Sequence, residues 1–183
     1  MKREEALELL KEKVAGKNLL KHMYAAEAVM KGLARHFGED EELWGLAGLL
    51  HDIDYDETKD DLSRHSLVGG KILEDTGFPA ELVHAVITHN DYHGVEREKL
   101  IDKALYATDP VTGLIVAGAL IRPEKKLAPL DVPFLVNRYH EKSFARGARR
   151  EVIASCTEMG LSLEEFLGIS LEAMKAIHQE LGL

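Results

Sequence analysis

The amino-acid sequence predicts an all-α fold, in a single domain that covers residues 1–183. Apolar residues recur at three- and four-residue steps along nearly the whole chain, which is the period of helices with one buried face. No segment alternates apolar and polar residues between two turn signals, as a half-buried strand would. A chain of 183 residues, 45% hydrophobic and 30% charged, can bury one substantial core but not two.

The N-terminal half of the chain contains five predicted helices, at about 3–14, 19–37, 40–50, 63–73 and 79–89. Gly16, Gly38 and Gly77 are the stop signals of the first, second and fourth of them. Asn18 is the predicted N-cap of the second, and Pro79 suits the first turn of the fifth because proline has no amide hydrogen to lose there. The third helix is apolar nearly all round, so we expect it at the centre of the fold. Two polar segments are predicted loops, 54–61 and 90–94.

The C-terminal half contains four predicted helices, at about 98–108, 110–121, 142–159 and 162–181. Pro110 is expected to separate the first two, because the residue before a proline is disfavoured in a helix. Two prolines mark residues 127–133 as the only internal linker, and Ser162 with Glu165 forms a capping box. The last helix carries an apolar stripe that packs on the core or, alternatively, forms an interface between copies of the chain. We therefore expect a helical core and a C-terminal helical extension, about 19–121 and about 134–183.

Composition and charge argue against an exported or membrane protein. The one cysteine, Cys156, cannot form an internal disulfide and is expected as a small buried hydrophobe, so the cytoplasm is the expected compartment. The N-terminus lacks the pattern of a signal peptide, and the longest uncharged stretches fall short of the roughly 18–20 residues of a membrane span. A net charge of −9 disfavours nucleic acid as a partner, although residues 122–150 hold eight Lys/Arg against three Asp/Glu.

Four residues stand out as candidate metal ligands: His22, His51, Asp52 and Asp109. His22 lies on the apolar stripe of its helix, and the other three are expected at helix ends, where side chains can converge. Imidazole and carboxylate are ligands of divalent first-row metals. Taken alone, His22 is more typical of a hydrogen-bonded core residue and Asp109 of a helix cap. The His51-Asp52 pair is harder to explain in that way, because a carboxylate at the end of an apolar helix needs a compensating cation.

The spacing of these residues resembles the signature of the HD superfamily of metal-dependent phosphohydrolases. His51-Asp52 follows His22 by 29 positions, and Asp109 follows Asp52 by 57. The run Leu46-Ala-Gly-Leu-Leu-His-Asp-Ile-Asp54 is similar to the core sequence of that family, and the likeness extends from about Leu19 to Thr112. The resemblance implies an HD-type helical bundle in which the four residues bind a metal ion.

Two further histidines, His65 and His89, resemble ligands in a branch of the family that holds two ions. In that branch the aspartate of the pair bridges both ions, which implies a second ion bound by Asp52, His65 and His89. His84 matches no motif position and is expected to be structural. Asp54 replaces the glycine of the His-Asp-Ile-Gly variant. It is expected as an outer-shell acceptor or a loop-capping residue, with proton donation as the alternative.

The resemblance implies hydrolysis of a phosphate ester or anhydride by metal-activated water, with Asp52, His65 and His89 as the catalytic residues. A nucleotide or another small phosphorylated metabolite is the expected substrate, and Arg122 and Arg146 are candidate phosphate-binding residues. The Gly-Tyr-Pro motif of cyclic-dinucleotide phosphodiesterases is missing after His89. One or two divalent ions are expected, and Mn, Fe, Ni, Co, Zn and Mg are all compatible with the ligands. A di-iron HD-fold oxygenase and a non-catalytic HD signalling module are the alternatives.

Overall fold

The computed structural model describes residues 2–183, and within that range it is all-helical with no strand. The α-helices are α1 (Arg3–Lys13), α2 (Lys17–Phe37), α3 (Glu41–Leu50), α4 (Tyr55–Thr58), α5 (Leu67–Asp75), α6 (Ala80–Thr88), α7 (Leu100–Leu120), α8 (Val132–His140), α9 (Arg150–Ala154), α10 (Leu163–Ala176) and α11 (His178–Leu181). Two 3-10 helices lie at Asp91–His93 and Ser155–Met159. The predicted all-α class is confirmed. Within residues 2–183, no helix has both the length and the hydrophobicity that a membrane span needs.

The first three helices begin and end near their predicted signals, with one correction. Gly38 ends α2 in the left-handed conformation with φ +73°, and the Asp40 carboxylate accepts hydrogen bonds from the first amides of α3. Asn18 is not an N-cap as predicted. Gly16 takes that position, since its carbonyl accepts from the amide of Leu20 at 2.9 Å, and Asn18 lies in the first turn of α2.

Helix α3 is the central helix, as its apolar sequence predicts, and α2 packs closely on it. Every residue of α3 from Trp44 to Leu50 is buried. A Cβ added at Gly48 would lie 2.6 Å from the carbonyl oxygen of Ala26 on α2, so only glycine permits this approach of the two backbones. The close contact brings the C-terminal end of α3, where His51 lies, against α2.

Two predicted boundaries between residues 54 and 94 shift in ways that matter for the site. The predicted loop 54–61 contains the one-turn helix α4. The helix expected from about residue 63 begins only at Leu67, because Ser66 adopts a left-handed backbone with φ +68° that interrupts it. His65 therefore lies in a turn before α5, where its side chain can point away from the α5 axis.

The two helices predicted on either side of Pro110 are one helix, α7, which corrects the predicted break. Proline in a helix interior removes one backbone hydrogen bond and costs about 3 kcal/mol. Apolar side chains on both sides of Pro110, among them Leu105 and Ile115, are fully buried against neighbouring helices, and this burial offsets the cost. Asp109 is therefore an interior residue of α7, not a residue at a helix end.

The C-terminal third differs most from the prediction. Residues 127–133 are not an exposed linker, because Leu127 and Leu130 are buried in the core and α8 starts at Val132. The helix expected at 142–159 begins only at Arg150. The Arg150 guanidinium donates to six backbone carbonyls, two at the end of α8 and four in the loop after it, which ties this non-helical loop to α8.

The apolar stripe of α10 packs inward onto the rest of the molecule. Phe166, Leu167 and Met174 are fully buried and belong to the same hydrophobic cluster as residues of α2, α3 and α7. The predicted capping box is present, since Ser162 and Glu165 bond reciprocally at the start of α10. The C-terminal helices thus cover the helices that carry the candidate ligands.

Candidate metal centre

Four of the predicted ligands meet where α2, α3 and α7 come together. His22 projects from α2, His51 ends α3, Asp52 follows it, and Asp109 projects from the middle of α7. His22 Nε2 lies 3.1 Å from His51 Nε2 and 3.2 Å from Asp109 Oδ1. Asp52 Oδ2 lies 3.7 Å from Nε2 of His22 and 3.5 Å from Nε2 of His51. The structure therefore places both carboxylates against the same two imidazoles, His22 and His51.

These separations fit a bound cation. Oxygen and nitrogen ligands at about 2.0–2.2 Å from a tetrahedral ion lie about 3.4 Å from one another. In this set, each imidazole Nε2 lies 3.1 to 3.8 Å from the other imidazole nitrogen and from the two carboxylates. Their donor types, two imidazoles and two carboxylates, are those that divalent first-row ions prefer. His51 is fully buried, so a cation here also balances two carboxylates in a poorly hydrated place.

A second set shares Asp52 with the first. Asp52 Oδ1 lies 3.3 Å from His65 Nε2 and 3.5 Å from His89 Nε2. The other oxygen of the same carboxylate, Oδ2, faces His22 and His51. One carboxylate thus points one oxygen to each set. Five of the six predicted ligands form two adjoining groups that share Asp52, and Asp109 lies beside the first group, next to His22 and His51. This arrangement fits two ions with Asp52 between them.

Each of the four imidazoles is held by its Nδ1 atom and presents its Nε2 atom to the centre. Nδ1 of His51 donates to the carbonyl of Gly48 at 2.9 Å, and Nδ1 of His89 donates to the carbonyl of Val86. Nδ1 of His22 lies 3.0 Å from the hydroxyl oxygen of Thr112, whose own hydrogen goes to the carbonyl of Asp109. With the proton on Nδ1, every Nε2 has a free lone pair, which is the form a metal ligand needs.

The fourth imidazole, His65, is held by Asp54. His65 Nδ1 donates to Asp54 Oδ1 at 2.9 Å, and the other carboxylate oxygen accepts from the amide of Gly69 at 2.7 Å. Asp54 is only 2% exposed. Of the roles considered for this residue, the structure favours the outer-shell acceptor, because both of its oxygens are occupied by donors.

Two residues that the sequence analysis missed donate hydrogen bonds to the backbone of the turn that carries His65. The carbonyl of His65 accepts from Asn90 Nδ2 at 3.2 Å and from His93 Nε2 at 2.7 Å. Thr112, the partner of His22, was also missed. It lies three residues after Asp109 on α7, so the helical period would have identified it if the helix had been predicted to continue through Pro110.

The carboxylates and imidazoles shift each other's pKa strongly. Burial lowers the pKa of His51, but Asp52 and Asp109 raise it more, to about 9. Burial likewise lowers the pKa of His65, while Asp52 and Asp54 raise it to about 9. Burial raises the pKa of Asp52, yet the surrounding histidines hold it well below its usual range. The centre is thus an anionic pocket that attracts a proton or a metal cation.

Three other candidates lie outside this arrangement. His84 donates from Nδ1 to the buried carboxylate of Asp102 at 3.0 Å, in keeping with its expected structural role. The Arg122 guanidinium stacks 5.4 Å from the ring of Phe134, and Arg146 is an exposed loop residue. Among the described residues, no hydrogen bond or ion pair joins either arginine to the six ligands. Phosphate binding by the two arginines stays a prediction.

Comparisons with known proteins agree with this site. The sequence profile of the family described as HD domain matches residues 19–131, which include all six candidate ligands. Ribonuclease Y of Alkaliphilus metalliredigens is 30% identical over 143 residues, which cover 75% of this chain and 29% of the relative. Ribonuclease Y of Rubrobacter xylanophilus is 26% identical over 140 residues, which cover 75% of this chain and 27% of the relative.

A third relative, Ribonuclease Y of Fusobacterium nucleatum, is 29% identical over 97 residues, which cover 53% of this chain and 19% of the relative. The chain spans less than a third of the length of each of these relatives. No solved structure gave a significant match. Proteins with an HD domain are generally metal-dependent hydrolases. Because the profile covers more than half of the residues, the chain belongs to the HD domain family.

Proposed function

We propose that this protein hydrolyses a phosphate ester or anhydride in a small phosphorylated substrate, such as a nucleotide, with one or two divalent metal ions. The observation that carries the proposal is the Asp52 carboxylate, which points one oxygen at each of two histidine sets. Bound divalent ions supply Lewis-acid activation of water and of phosphoryl oxygens. The protein then needs no side-chain nucleophile.

The side chains of the chain have distinct proposed roles. His22, His51, Asp52 and Asp109 hold the first ion, and Asp52, His65 and His89 hold the second. Where only the first set is filled, His65 and His89 bind the phosphate instead, each with a hydrogen on Nε2 in place of the lone pair that a metal ligand needs. Asp52 is then the residue that takes a proton from the attacking water, because its Oδ1 faces only His65 and His89 and is not needed by the first set.

The centre is exposed on one side only. Asp109 has 42% of its side chain exposed and His22 has 24%, while His51 is completely buried. The ligands are thus reached from the side of α2 and α7. The side of the centre at His51 is closed to bulk water, and the lower dielectric constant there strengthens electrostatic interactions between the ligands.

An RNA phosphodiester is a second candidate substrate, because three relatives carry the name Ribonuclease Y. The bond to be cleaved has the same chemistry. The net charge of −9 favours the small substrate, since binding to nucleic acid depends largely on cationic contacts to phosphates.

The test is hydrolysis by protein reconstituted separately with Mn²⁺, Fe²⁺, Ni²⁺, Co²⁺, Zn²⁺ or Mg²⁺. The substrates are bis(p-nitrophenyl) phosphate, a set of nucleotides and a short single-stranded RNA. Asp52→Asn is expected to lower turnover about 100-fold or more. Asp60→Asn, a matched change at an exposed position, is expected to leave it unchanged. Full turnover in Asp52→Asn would show that Asp52 does not have the proposed role.

A further inference from the structure

A cavity of about 380 Å³ opens between α2, α7 and the C-terminal residues, directly beside the candidate metal centre. Its walls are largely apolar, formed by side chains such as Val116, Leu120 and Leu181. The polar groups at its edge are Asn18 and Lys21, together with His22 and Thr112. Its volume lies within the roughly 300–1,000 Å³ of small-molecule pockets, which are typically apolar with a few polar groups.

The cavity and the metal centre share a wall. His22 and Thr112, joined by the 3.0 Å contact between Nδ1 and the hydroxyl oxygen, belong to both. On α7 the lining residues follow Asp109 at steps of three and four, so they lie on the helix face that carries this ligand. On α2, Asn18 and Ala25 flank His22 at steps of four and three, and Lys21 directly precedes it. Asp109 is 42% exposed on this face of α7, so a molecule bound at the ligands can extend past Thr112 into the cavity.

The charge at the cavity suits a phosphorylated molecule. The carboxylates of Asp52 and Asp109 make the centre strongly anionic without a metal ion. Lys21 is exposed at the cavity, and its ammonium lies against Gly182 on the C-terminal wall. Its positive charge offsets part of the negative charge of these carboxylates, which favours the approach of an anionic substrate.

From these observations we infer that the cavity binds the apolar organic group of the phosphate ester, and that Gly113 sets how large this group can be. The inference rests on the proposed function, since the phosphate itself is assigned to the metal centre. A Cβ added at Gly113 would meet no atom within 4 Å, so a larger side chain there would enter the cavity without displacing the fold. Gly113 lies inside α7, where any ordinary residue is a better helix former.

The test compares two phosphonates, which cannot be hydrolysed, on the full chain loaded with Mn²⁺. Phenylphosphonate and methylphosphonate carry the same anionic group and differ in the apolar group. Calorimetric titration is expected to show phenylphosphonate binding about tenfold more tightly, because the ring leaves water on entering the cavity. Gly113→Leu is expected to remove this preference while methylphosphonate affinity and metal content stay unchanged. Gly147→Leu, at an open position that does not line the cavity, is expected to retain the preference.

The outcomes separate the inference from the proposed function. Equal binding of both phosphonates to a protein that hydrolyses bis(p-nitrophenyl) phosphate would overturn the cavity assignment and leave the proposed function standing. A preference that survives Gly113→Leu would likewise overturn it. Failure to bind either phosphonate, together with no hydrolysis by the metal-loaded protein, would contradict the proposed function itself and the inference with it.

Discussion

Replacement of Asp54 by asparagine tests how the structure prepares His65 as a ligand. The two oxygens of Asp54 accept from two fixed donors, Nδ1 of His65 at 2.9 Å and the amide of Gly69 at 2.7 Å. Asparagine has nearly the same shape but only one acceptor oxygen. In either orientation of the amide, its NH₂ group faces one of these two N–H donors.

The magnitude follows from the burial of Asp54, which is 2% exposed. A buried donor that loses its acceptor costs about 1–3 kcal/mol, so the variant is expected to fold with reduced stability. If the NH₂ group faces His65, the proton of the imidazole moves to Nε2, the atom that points at Asp52. Loss of such an outer-shell partner lowers metal affinity about 10- to 100-fold.

The assay is competition for metal against a chelator of known affinity, combined with thermal unfolding of the same samples. Asp54→Asn is expected to weaken binding of one ion and to leave the other close to wild type. Asp60→Asn controls for the loss of one negative charge, since Asp60 is exposed. Wild-type affinity for both ions in a folded Asp54→Asn variant would refute the reasoning.

Three other predictions concern stability and reactivity. Arg150→Ala should lower the free energy of unfolding by about 2–4 kcal/mol, because six backbone carbonyls lose their donor. Arg149→Ala should lower it by less than about 1 kcal/mol, because the ion pair of Arg149 with Asp91 is exposed. Denaturant titration measures both changes. The pKa values of His51 and His65 are raised to about 9, so their protonated forms stabilise the fold fully below pH 6.5, and this stabilisation is lost as the pH rises through 9. With the metal removed by a chelator, the melting temperature should therefore fall between pH 6.5 and 9. A melting temperature that rises over this range would contradict the prediction. Burial raises the pKa of Cys156 to about 11, so a thiol reagent at pH 8 should label only unfolded protein, and rapid labelling of the native state would contradict this burial.

The parts of the fold that the sequence predicts well are those set by local chemistry. The helical period, the glycine stops and the Ser162 capping box all act within a few residues, and the structure has α1, α2 and α3 close to the predicted bounds. Helix α10 begins where predicted but ends at Ala176, because the backbone of Ile177 is not helical, and residues 178–181 form the separate helix α11. The joint position of His51 and Asp52 also follows from local order, because an apolar helix ends directly before them.

The parts that the sequence does not predict depend on distant contacts. Pro110 has a strong local preference to end a helix, and only the burial of α7 on both sides of it reverses that preference. Arg150 reads as a surface cation in the sequence, yet it organises the loop before α9 through backbone carbonyls. Neither effect has a signal within the few residues around it.

The candidate site divides in the same way. The resemblance to the HD superfamily pointed to six ligands. The structure groups five of them around Asp52 and places Asp109 against His22 and His51. The partners that orient them come from other parts of the chain. Thr112 reaches His22 across 90 positions and His93 reaches the carbonyl of His65 across 28, so their roles appear only when the chain is folded.

The most direct test of the central claim is the metal content of the purified protein, measured beside its His51→Ala and His89→Ala variants. We predict close to two transition-metal ions per chain in the wild type, an empty centre in His51→Ala and the loss of about one ion in His89→Ala. A folded wild-type protein that binds no metal after reconstitution with Mn²⁺, Fe²⁺, Ni²⁺ and Zn²⁺ would contradict the account.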